Sequence, residues 1–222
     1  PVPNNRLTVG DLLDLWLEHV EQTAASPNTV AHQRWVVERH LRPAFGKTRL
    51  TALTPHDVNI FLAERAQQGF AKSSVVRFRV VLGQALRLAE VENWVQRNVA
   101  KLSDIPAIAE TDGRSMTEHQ ARVLLTALER EPLGATFVLM LTMGLRLGEA
   151  TGLAWDDINN DTDVLQIRQT VKREPGGLRL GGTKTPKSRR TLAMPTVASA
   201  AIRRRRFIQN QERLFAGPAW HD

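Results

Sequence analysis

The sequence predicts a mainly α-helical fold with a small antiparallel β-sheet inserted late in the chain. Three observations carry this prediction. Apolar residues recur at helical spacing through the first half, strand-like segments and paired glycines occur after residue 160, and helical spacing returns near residue 196. The 222 residues suffice for one large domain or two small ones, and 42% hydrophobic residues allow a sizeable core.

Three helix starts are predicted in the first half of the chain. Thr8 with Asp11 predicts a capping box, and Thr54 with Asp57 repeats the pattern. Ser26 precedes a proline, which is favoured at the first helical position. Each start is followed by apolar residues at helical spacing, so each predicts an amphipathic helix.

The ends of the second and fourth helices are also predicted. Pro43 and Gly46 are expected to end the second helix. The fourth helix should run from about Lys72 to Glu90. Its apolar stripe is Val75, Phe78, Leu82, Leu86 and Ala89. Four helices with short connections predict a compact bundle over residues 1–107.

A composition change predicts a domain boundary near Ile108. Residues 102–114 contain few bulky apolar side chains and are expected to form a linker, as is the extreme N-terminus. Thr117 with Gln120 predicts the next helix start, and the apolar segment from Pro132 to Met143 predicts a buried helix. Residues 108–222 therefore form the second predicted unit.

The β-sheet is predicted between residues 156 and 194. Asp156–Asp161 has turn chemistry, and the pairs at 176–177 and 181–182 are glycine bends. Val164–Arg168 and Arg189–Met194 are predicted strands, the second ended by a proline. A last helix should begin near Thr196 and carry four consecutive arginines.

The charge of the chain predicts a polyanionic partner. The net charge is +7 and the pI about 10.7, which favours nucleic acid over a membrane surface. Between Asp163 and Arg206 there are twelve Lys or Arg and two acidic residues. A merely solvated basic surface is the alternative. There is no Cys, so disulfides and thiolate metal sites are excluded, and the six His have no metal-like spacing and are expected at the surface or its boundary.

Arg146 is the most suggestive charged residue. It follows an apolar helix and begins a predicted short helix from Gly148 to Leu153, where desolvation of a guanidinium is costly. Glu149 lies three residues on and is within reach if the segment is helical. On spacing alone, an ordinary Arg–Glu pair at a helix junction is the favoured explanation, because surface ion pairs are common and weak.

Two segments resemble motifs of the tyrosine recombinases of the phage-integrase kind. Gly144–Ala150 and Gly152–Ile158 resemble the first catalytic-arginine motif, and Thr183–Leu192 resembles the β-hairpin lysine motif. The four-helix first half resembles the core-binding domain. The resemblance implies an all-α core DNA-binding domain (1–107) followed by the first part of an α+β integrase-type catalytic domain (108–222).

The resemblance also implies chemical roles. Arg146 would hold the scissile phosphate, Lys184 would protonate the leaving 5′ oxygen, and Glu149 would fix Arg146. Lys187 is the alternative acid; Lys187, Arg189 and Arg190 are expected phosphate contacts or solvated hairpin charges. No metal or other cofactor is implied.

The resemblance further implies that helices of the first domain face the major groove of DNA, which makes the fourth helix the expected DNA-reading surface. Its outward residues are Lys72, Ser73, Arg77, Gln84 and Arg87. Arg and Gln suit base edges and Lys suits phosphates, whereas ordinary solvent-facing polar residues are the alternative. Ser26 at the second helix start is a further candidate phosphate donor.

The sequence departs from the family in one decisive respect: it contains no Tyr, and the later His-x-x-Arg block is missing. We expect truncation within the catalytic domain, an inactive chain, and exposed apolar surface that promotes association. The implied partner is double-stranded DNA with a tetrameric synapse of the full-length protein, in the cytoplasm of a bacterial or phage-infected cell. A non-catalytic DNA-binding regulator, a type IB topoisomerase and a helical protein-interaction module are the alternatives.

Overall fold

The computed structural model describes residues 6–24, 26–109, 113–174, 176–182 and 188–220. The chain divides into two compact units, Pro1–Gly113 and Arg114–Asp222. The N-terminal unit contains α1 (Val9–Thr23), α2 (Pro27–Val36), α3 (Arg42–Phe45), α4 (Pro55–Gln67) and α5 (Lys72–Val91). The C-terminal unit contains α6 (Glu118–Leu128), α7 (Gly134–Met143), α8 (Leu147–Thr151) and α9 (Thr196–Ala216). The fold is mainly α with small antiparallel sheets, as predicted.

The three predicted helix starts of the N-terminal unit are confirmed. Thr8 and Asp11 form a capping box at α1, and Thr54 and Asp57 form one at α4. The Ser26 hydroxyl accepts a hydrogen bond from the Thr29 amide at 3.3 Å at the start of α2. These caps satisfy amide groups that a helix start otherwise leaves without partners.

The core of the N-terminal unit is built around α5. The five residues of its predicted apolar stripe are all buried, and Phe78 contacts the rings of Phe61 and Phe70. Helices α1 and α4 pack against α5 and bury their own apolar faces there. The 3.6-residue period of the sequence thus determined which face of α5 is inside and which is exposed.

The predicted end of the second helix is confirmed at Gly46 but not at Pro43. Pro43 does not end the helical segment, because a π-helical turn at Val37–Leu41 joins α2 to α3. In this turn the Arg42 amide donates to the Val37 carbonyl, five residues back. The wider turn accommodates a proline that has no amide hydrogen to donate. The helical segment ends at Gly46 instead, whose amide donates to the Arg42 carbonyl at 2.8 Å.

His40, on the π-helical turn, corrects the expectation that the histidines lie at or near the surface. It is buried and packs against the rings of Trp35, Phe70 and Phe78. Neither ring nitrogen has a hydrogen-bond partner among the described residues. The spacing of the histidines carried no signal for this, because burial of a single His depends on tertiary packing.

The residues after α5 fold back onto it. Arg79 donates to the Ser103 carbonyl at 2.8 Å, and the Asn98 side-chain amide donates to the Gly83 carbonyl at 2.7 Å. Ile105 and Ile108 pack on the same core. The first part of the predicted linker segment is therefore anchored to the N-terminal unit.

The helices of the C-terminal unit begin as the sequence indicates. Thr117 and Gln120 form the predicted capping box at α6. Helix α7 packs against both α6 and α9, and its Leu139 lies in a buried cluster with Ile202 of α9. No helix within the described ranges is both long and apolar enough to cross a bilayer.

The strands of the C-terminal unit form two small sheets in the described part of the chain. They are β1 (Ile158–Asn159), β2 (Val164–Ile167), β3 (Gln169–Glu174), β4 (Gly177–Gly182) and β5 (Arg190–Ala193). Strand β2 pairs antiparallel with β1 and β5, with Leu165 opposite Leu192. Strands β3 and β4 form a separate hairpin.

Two of these strands were predicted and three were not. The predicted segments Val164–Arg168 and Arg189–Met194 correspond to β2 and β5. Part of the predicted turn at 156–161 is instead β1. The hairpin strands β3 and β4 were predicted only as a glycine bend, because β3 is mostly polar and charged and the two leucines of β4 are flanked by glycines.

Candidate functional site

The chain reverses sharply between α7 and α8, and this turn presents Arg146. Gly144 has a left-handed backbone (φ 66°), and its amide donates to the Met140 carbonyl at 3.1 Å. Leu145 then enters the core, and Arg146 follows with an extended backbone as the residue before α8. Glycine suits the first position because it adopts positive φ without steric cost.

Helix α8 lies unusually close to strand β3. A Cβ added to Gly148 would come within 2.5 Å of the Thr170 hydroxyl and of the Val171 carbonyl oxygen. One added to Gly152 would lie 2.9 Å from the Thr170 Cα and the Val171 amide. The two glycines, one turn apart on α8, therefore permit backbone-to-backbone contact with the β3–β4 hairpin.

Glu149 is the centre of the site. Its carboxylate accepts the Arg146 amide at 3.0 Å and the Arg146 Nη1 group at 2.9 Å. It also accepts both terminal nitrogens of Arg190, at 3.0 and 2.9 Å. The side chain is only 5% exposed. A buried carboxylate with four donors, two of them in a bidentate guanidinium pair, is well compensated for its desolvation.

These contacts determine the charge state of the cluster. The Arg190 hydrogen bonds, together with the amide and side chain of Arg146, lower the pKa of Glu149 to about 2, although burial opposes the shift. The pKa of Arg190 is raised by Glu149. Near neutral pH the cluster of two guanidiniums and one carboxylate carries a net positive charge, which suits an anionic ligand.

Arg146 remains available despite this pair. Its side chain is 77% exposed, and one of its five guanidinium N–H groups is engaged by Glu149. Arg146 is thus fixed at its amide and at one nitrogen, while the rest of the guanidinium faces outward. Such a group can meet two oxygens of a phosphate at once.

The other residues expected near this site have different environments. Arg190 lies on β5 and reaches Glu149, whereas Arg189 beside it is exposed. Lys184 and Lys187 lie outside the described residues. Strand β4 ends at Gly182, so the hairpin that packs against α8 leads directly into the segment of the sequence that contains Lys184 and Lys187.

The expected DNA-reading residues of α5 are all exposed: Lys72, Ser73, Arg77, Gln84 and Arg87. The Gln84 side-chain oxygen accepts from the side-chain amide of Gln33 on α2 at 3.4 Å, and Arg87 pairs with Glu90 at 2.8 Å. Arg77 has no ion-pair partner in the described part of the chain. The outward face of α5 is thus predominantly polar and basic.

Sequence reasoning missed three features of the C-terminal unit. The two α8 glycines were treated as part of a motif, although their spacing of four residues was a visible sign of close packing. Arg190 was expected as a phosphate contact or a solvated hairpin charge, and its pairing with Glu149 was not predicted. Asp157 was assigned to a turn, yet it is buried, accepts the Ala154 amide at 3.0 Å and pairs with Arg168.

The four arginines of α9 each contact a protein group. Arg203 and Arg204 lie 3.5 Å from Asp163 and Glu129, respectively. Arg205 forms a bidentate pair with Glu212 of the same helix. The Arg206 guanidinium lies 5.5 Å from the centre of the Trp155 ring. This part of the basic stretch therefore also ties α9 to its surroundings.

Comparison with known proteins identifies similar sequences and folds. Residues 8–64 match the family model "Phage integrase, N-terminal SAM-like domain". An integrase of Streptomyces ambofaciens is 29% identical over 97% of this chain and 56% of its own length. A tyrosine recombinase XerC-like protein of Caldanaerobacter subterraneus is 24% identical over 96% of this chain and 59% of its own.

A solved structure extends the likeness to the fold. The Tn1549 transposon integrase in complex with a circular intermediate DNA superposes with a TM-score of 0.81 at 18% identity, over 92% of this chain and 66% of that one. The chain thus spans between 56% and 66% of the length of these three proteins. The likeness covers both units.

Proposed function

We propose that the chain is a member of the tyrosine recombinase family and acts in site-specific DNA recombination, on the likeness of its sequence and fold to integrases. The reaction integrates or excises a mobile element by breaking and rejoining DNA through a 3′-phosphotyrosine. The relatives from bacteria suggest a bacterial or phage-infected cytoplasm as its place of action.

One observation carries this proposal: an exposed guanidinium fixed by a buried carboxylate. Charge builds up on the non-bridging oxygens of the scissile phosphate as the phosphoryl group is transferred. Arg146 holds those oxygens, and Glu149 keeps its guanidinium in place before the substrate arrives. Because the donors are already oriented, little reorganisation is needed in the transition state.

The remaining steps require two further groups. A tyrosine oxygen attacks phosphorus, the bond from phosphorus to the 5′ oxygen breaks, and that oxygen takes a proton from Lys184, with Lys187 as the alternative acid. The chain contains no Tyr, so the attacking oxygen is not among its 222 residues. We therefore expect this chain alone to bind DNA without cleaving it.

Arg190 is assigned a positioning role in this proposal. Both of its terminal nitrogens are engaged by Glu149, which favours support of the Arg146–Glu149 pair over the phosphate contact expected from sequence. Arg189, which is exposed beside it, retains the phosphate-contact role. DNA core sites are read by the α5 face, and four full-length protomers assemble in the synapse.

Binding experiments test the assignment of Arg146. Duplexes selected from a random library by the chain are titrated by fluorescence anisotropy over a salt series. Arg146→Ala should weaken binding, and the slope of log affinity against log salt should become shallower by about one phosphate contact. Arg122→Ala is the matched control, because Arg122 is 76% exposed and also pairs with a glutamate. Equal losses in both variants would contradict the assignment.

A nicked suicide substrate tests the chemistry. A protein carrying this chain together with a tyrosine nucleophile should form a covalent DNA adduct, visible as a denaturation-resistant band. The 222-residue chain should form none, and Lys184→Ala in the active protein should suppress the adduct. A folded, DNA-bound protein with its tyrosine that never forms the adduct would exclude recombination by this route.

The absence of Tyr favours a second candidate, a non-catalytic DNA-binding regulator or accessory protein with this fold. The two candidates share the DNA-binding experiment and differ in the adduct experiment. Specific DNA binding without any adduct, in the presence of the nucleophile, supports the regulator.

A further inference from the structure

An exposed valine lies at the centre of the basic face of α5. At about 100° per residue, Ser73, Arg77, Gln84 and Arg87 all lie within roughly 60° of Val80 around the helix axis. Val80 is also midway along this face, with Arg77 on one side and Gln84 on the other. Val80 is 42% exposed, although burial would stabilise an isopropyl group.

Val80 lies between two open hollows on the surface of α5. One, of about 710 Å³, is lined by Lys72, Ser73 and Arg77, and the other, of about 390 Å³, by Gln84, Arg87 and Lys101. Val80 is part of the lining of both hollows. Val80 is therefore an exposed apolar group between the cations and hydrogen-bond donors of the two hollows. The half-buried Val76 also lines the first hollow, and the exposed Val91 lies at the end of α5, outside both.

The wall of the second hollow is held rigidly in place. Asn98 donates to the Gly83 carbonyl, and Arg79 donates to the Ser103 carbonyl. Lys101, between these two anchors, lies 3.8 Å from Glu90 and adds positive charge at the rim. Because the anchors fix the segment after α5, the surroundings of Val80 are preorganised and do not have to fold over it.

The occupant that fits this surface is the major groove of DNA. The cations at both ends complement the phosphates on either side of a groove that admits one helix. Base edges in that groove present donors, acceptors and one apolar group, the C5 methyl of thymine. A valine among polar readers matches only that group.

Resting on the proposed function, we propose that Val80 is a specificity-determining residue that contacts a thymine methyl. The contacted T·A pair lies between the base pairs that face Arg77 and Gln84. Loss of the methyl removes roughly one buried apolar carbon from the complex. This corresponds to an affinity loss of about three- to fivefold at that one position.

The test exchanges the methyl and the valine together. Duplexes selected by the chain are prepared with deoxyuridine in place of each thymidine in turn, and affinities are measured by fluorescence anisotropy at fixed salt. The unmodified chain should lose about three- to fivefold affinity at one thymidine. Val80→Ala should bind the methylated and demethylated duplexes equally. This double exchange isolates the contact from effects of the methyl on DNA shape.

Val91→Ala is the matched control. Val91 is an exposed valine on the same helix but does not line either hollow, so its variant should retain the deoxyuridine penalty. Specific binding with no deoxyuridine penalty, or with the same penalty in Val80→Ala, would overturn the Val80 contact while leaving the proposed function intact. Failure to select any preferred duplex would overturn both.

Discussion

The two units of the chain are stabilised by different means. The N-terminal unit encloses a cluster of twenty-two buried hydrophobic residues in the described structure, whereas the main cluster of the C-terminal unit has eight. The C-terminal unit instead buries two carboxylates, Glu149 and Asp157, each held by arginines. Its α9 also exposes Phe207, Leu214 and Phe215.

This difference parallels the proposed roles of the units. A DNA-reading helix needs a rigid scaffold behind it, and an apolar core provides one while leaving the outward face free. A phosphate site needs cations that stay oriented near the protein surface, and a buried carboxylate provides that orientation. The C-terminal unit thus uses arginine–carboxylate ion pairs both in its site and between its secondary-structure elements.

The largest effect should follow the removal of Glu149. Glu149→Ala leaves Arg190 without its bidentate partner and should lower the unfolding free energy of the C-terminal unit by about 3–5 kcal/mol. Hydrogen exchange followed by mass spectrometry reports each unit separately: amides of α7 and β5 should lose protection while those of α5 keep it.

Glu118→Ala is the control for that experiment. Glu118 forms an exposed pair with Arg122, so its removal should cost less than about 0.5 kcal/mol. If Glu149→Ala were as mild as Glu118→Ala, the C-terminal unit would not depend on its buried ion pairs, and the contrast between the units would fail.

A smaller loss should follow Gly148→Ala. The added methyl meets the Thr170 hydroxyl and the Val171 carbonyl, so α8 and the β3–β4 hairpin must separate, at a cost of about 1–3 kcal/mol. Gly182→Ala in the same hairpin is the control, because nothing lies within 4 Å of its added Cβ. Loss of hydrogen-exchange protection in both variants would indicate a general weakness of the hairpin.

Prediction from sequence succeeds where the structural information is local. Helix starts at Thr8, Ser26, Thr54 and Thr117 were predicted correctly because a cap is local chemistry within four residues. The buried face of α5 followed from its period alone. Both kinds of information are contained in consecutive residues.

What was missed depends on residues far apart in the chain. Arg190 lies 41 residues from Glu149, and nothing in either local segment indicates their pairing. The burial of His40 arises from Phe70 and Phe78 on later parts of the chain. The role of Arg146 could be predicted from its local sequence. The support that Arg190 gives it could be recognised only from the folded structure.

The two units should lose stability in a defined order as the pH falls. Burial, with the charges of Arg65 and Arg39, lowers the pKa of His40 below its ordinary 6.5, so the unfolded chain binds that proton more readily. The N-terminal unit should therefore lose stability as pH falls below about 6.5. Glu149 has a lowered pKa of about 2, and its contribution is lost only between its ordinary 4.5 and that value.

Unit-resolved hydrogen exchange across a pH series, corrected for the intrinsic exchange rate, measures this order. His40→Phe should abolish the loss of the N-terminal unit between pH 7 and 5, whereas His56→Ala, at an exposed position, should retain it. A C-terminal unit that opened first on acidification would reverse the proposed order.

The smallest effect should come from the caps, which both units share. Thr54→Ala in the N-terminal unit and Thr117→Ala in the C-terminal unit each remove a hydroxyl that accepts a helix amide, at a cost of about 1 kcal/mol. Because this chemistry is local, the two losses should be equal despite the different cores. Denaturant titration monitored by hydrogen exchange compares the two losses in unfolding free energy. Thr151→Ala, at an exposed position outside any cap, is the control. A much larger loss in Thr117→Ala would mean that α6 is stabilised chiefly by its own cap. The C-terminal unit would then depend on local as well as ionic contacts, whereas the N-terminal unit depends on its core.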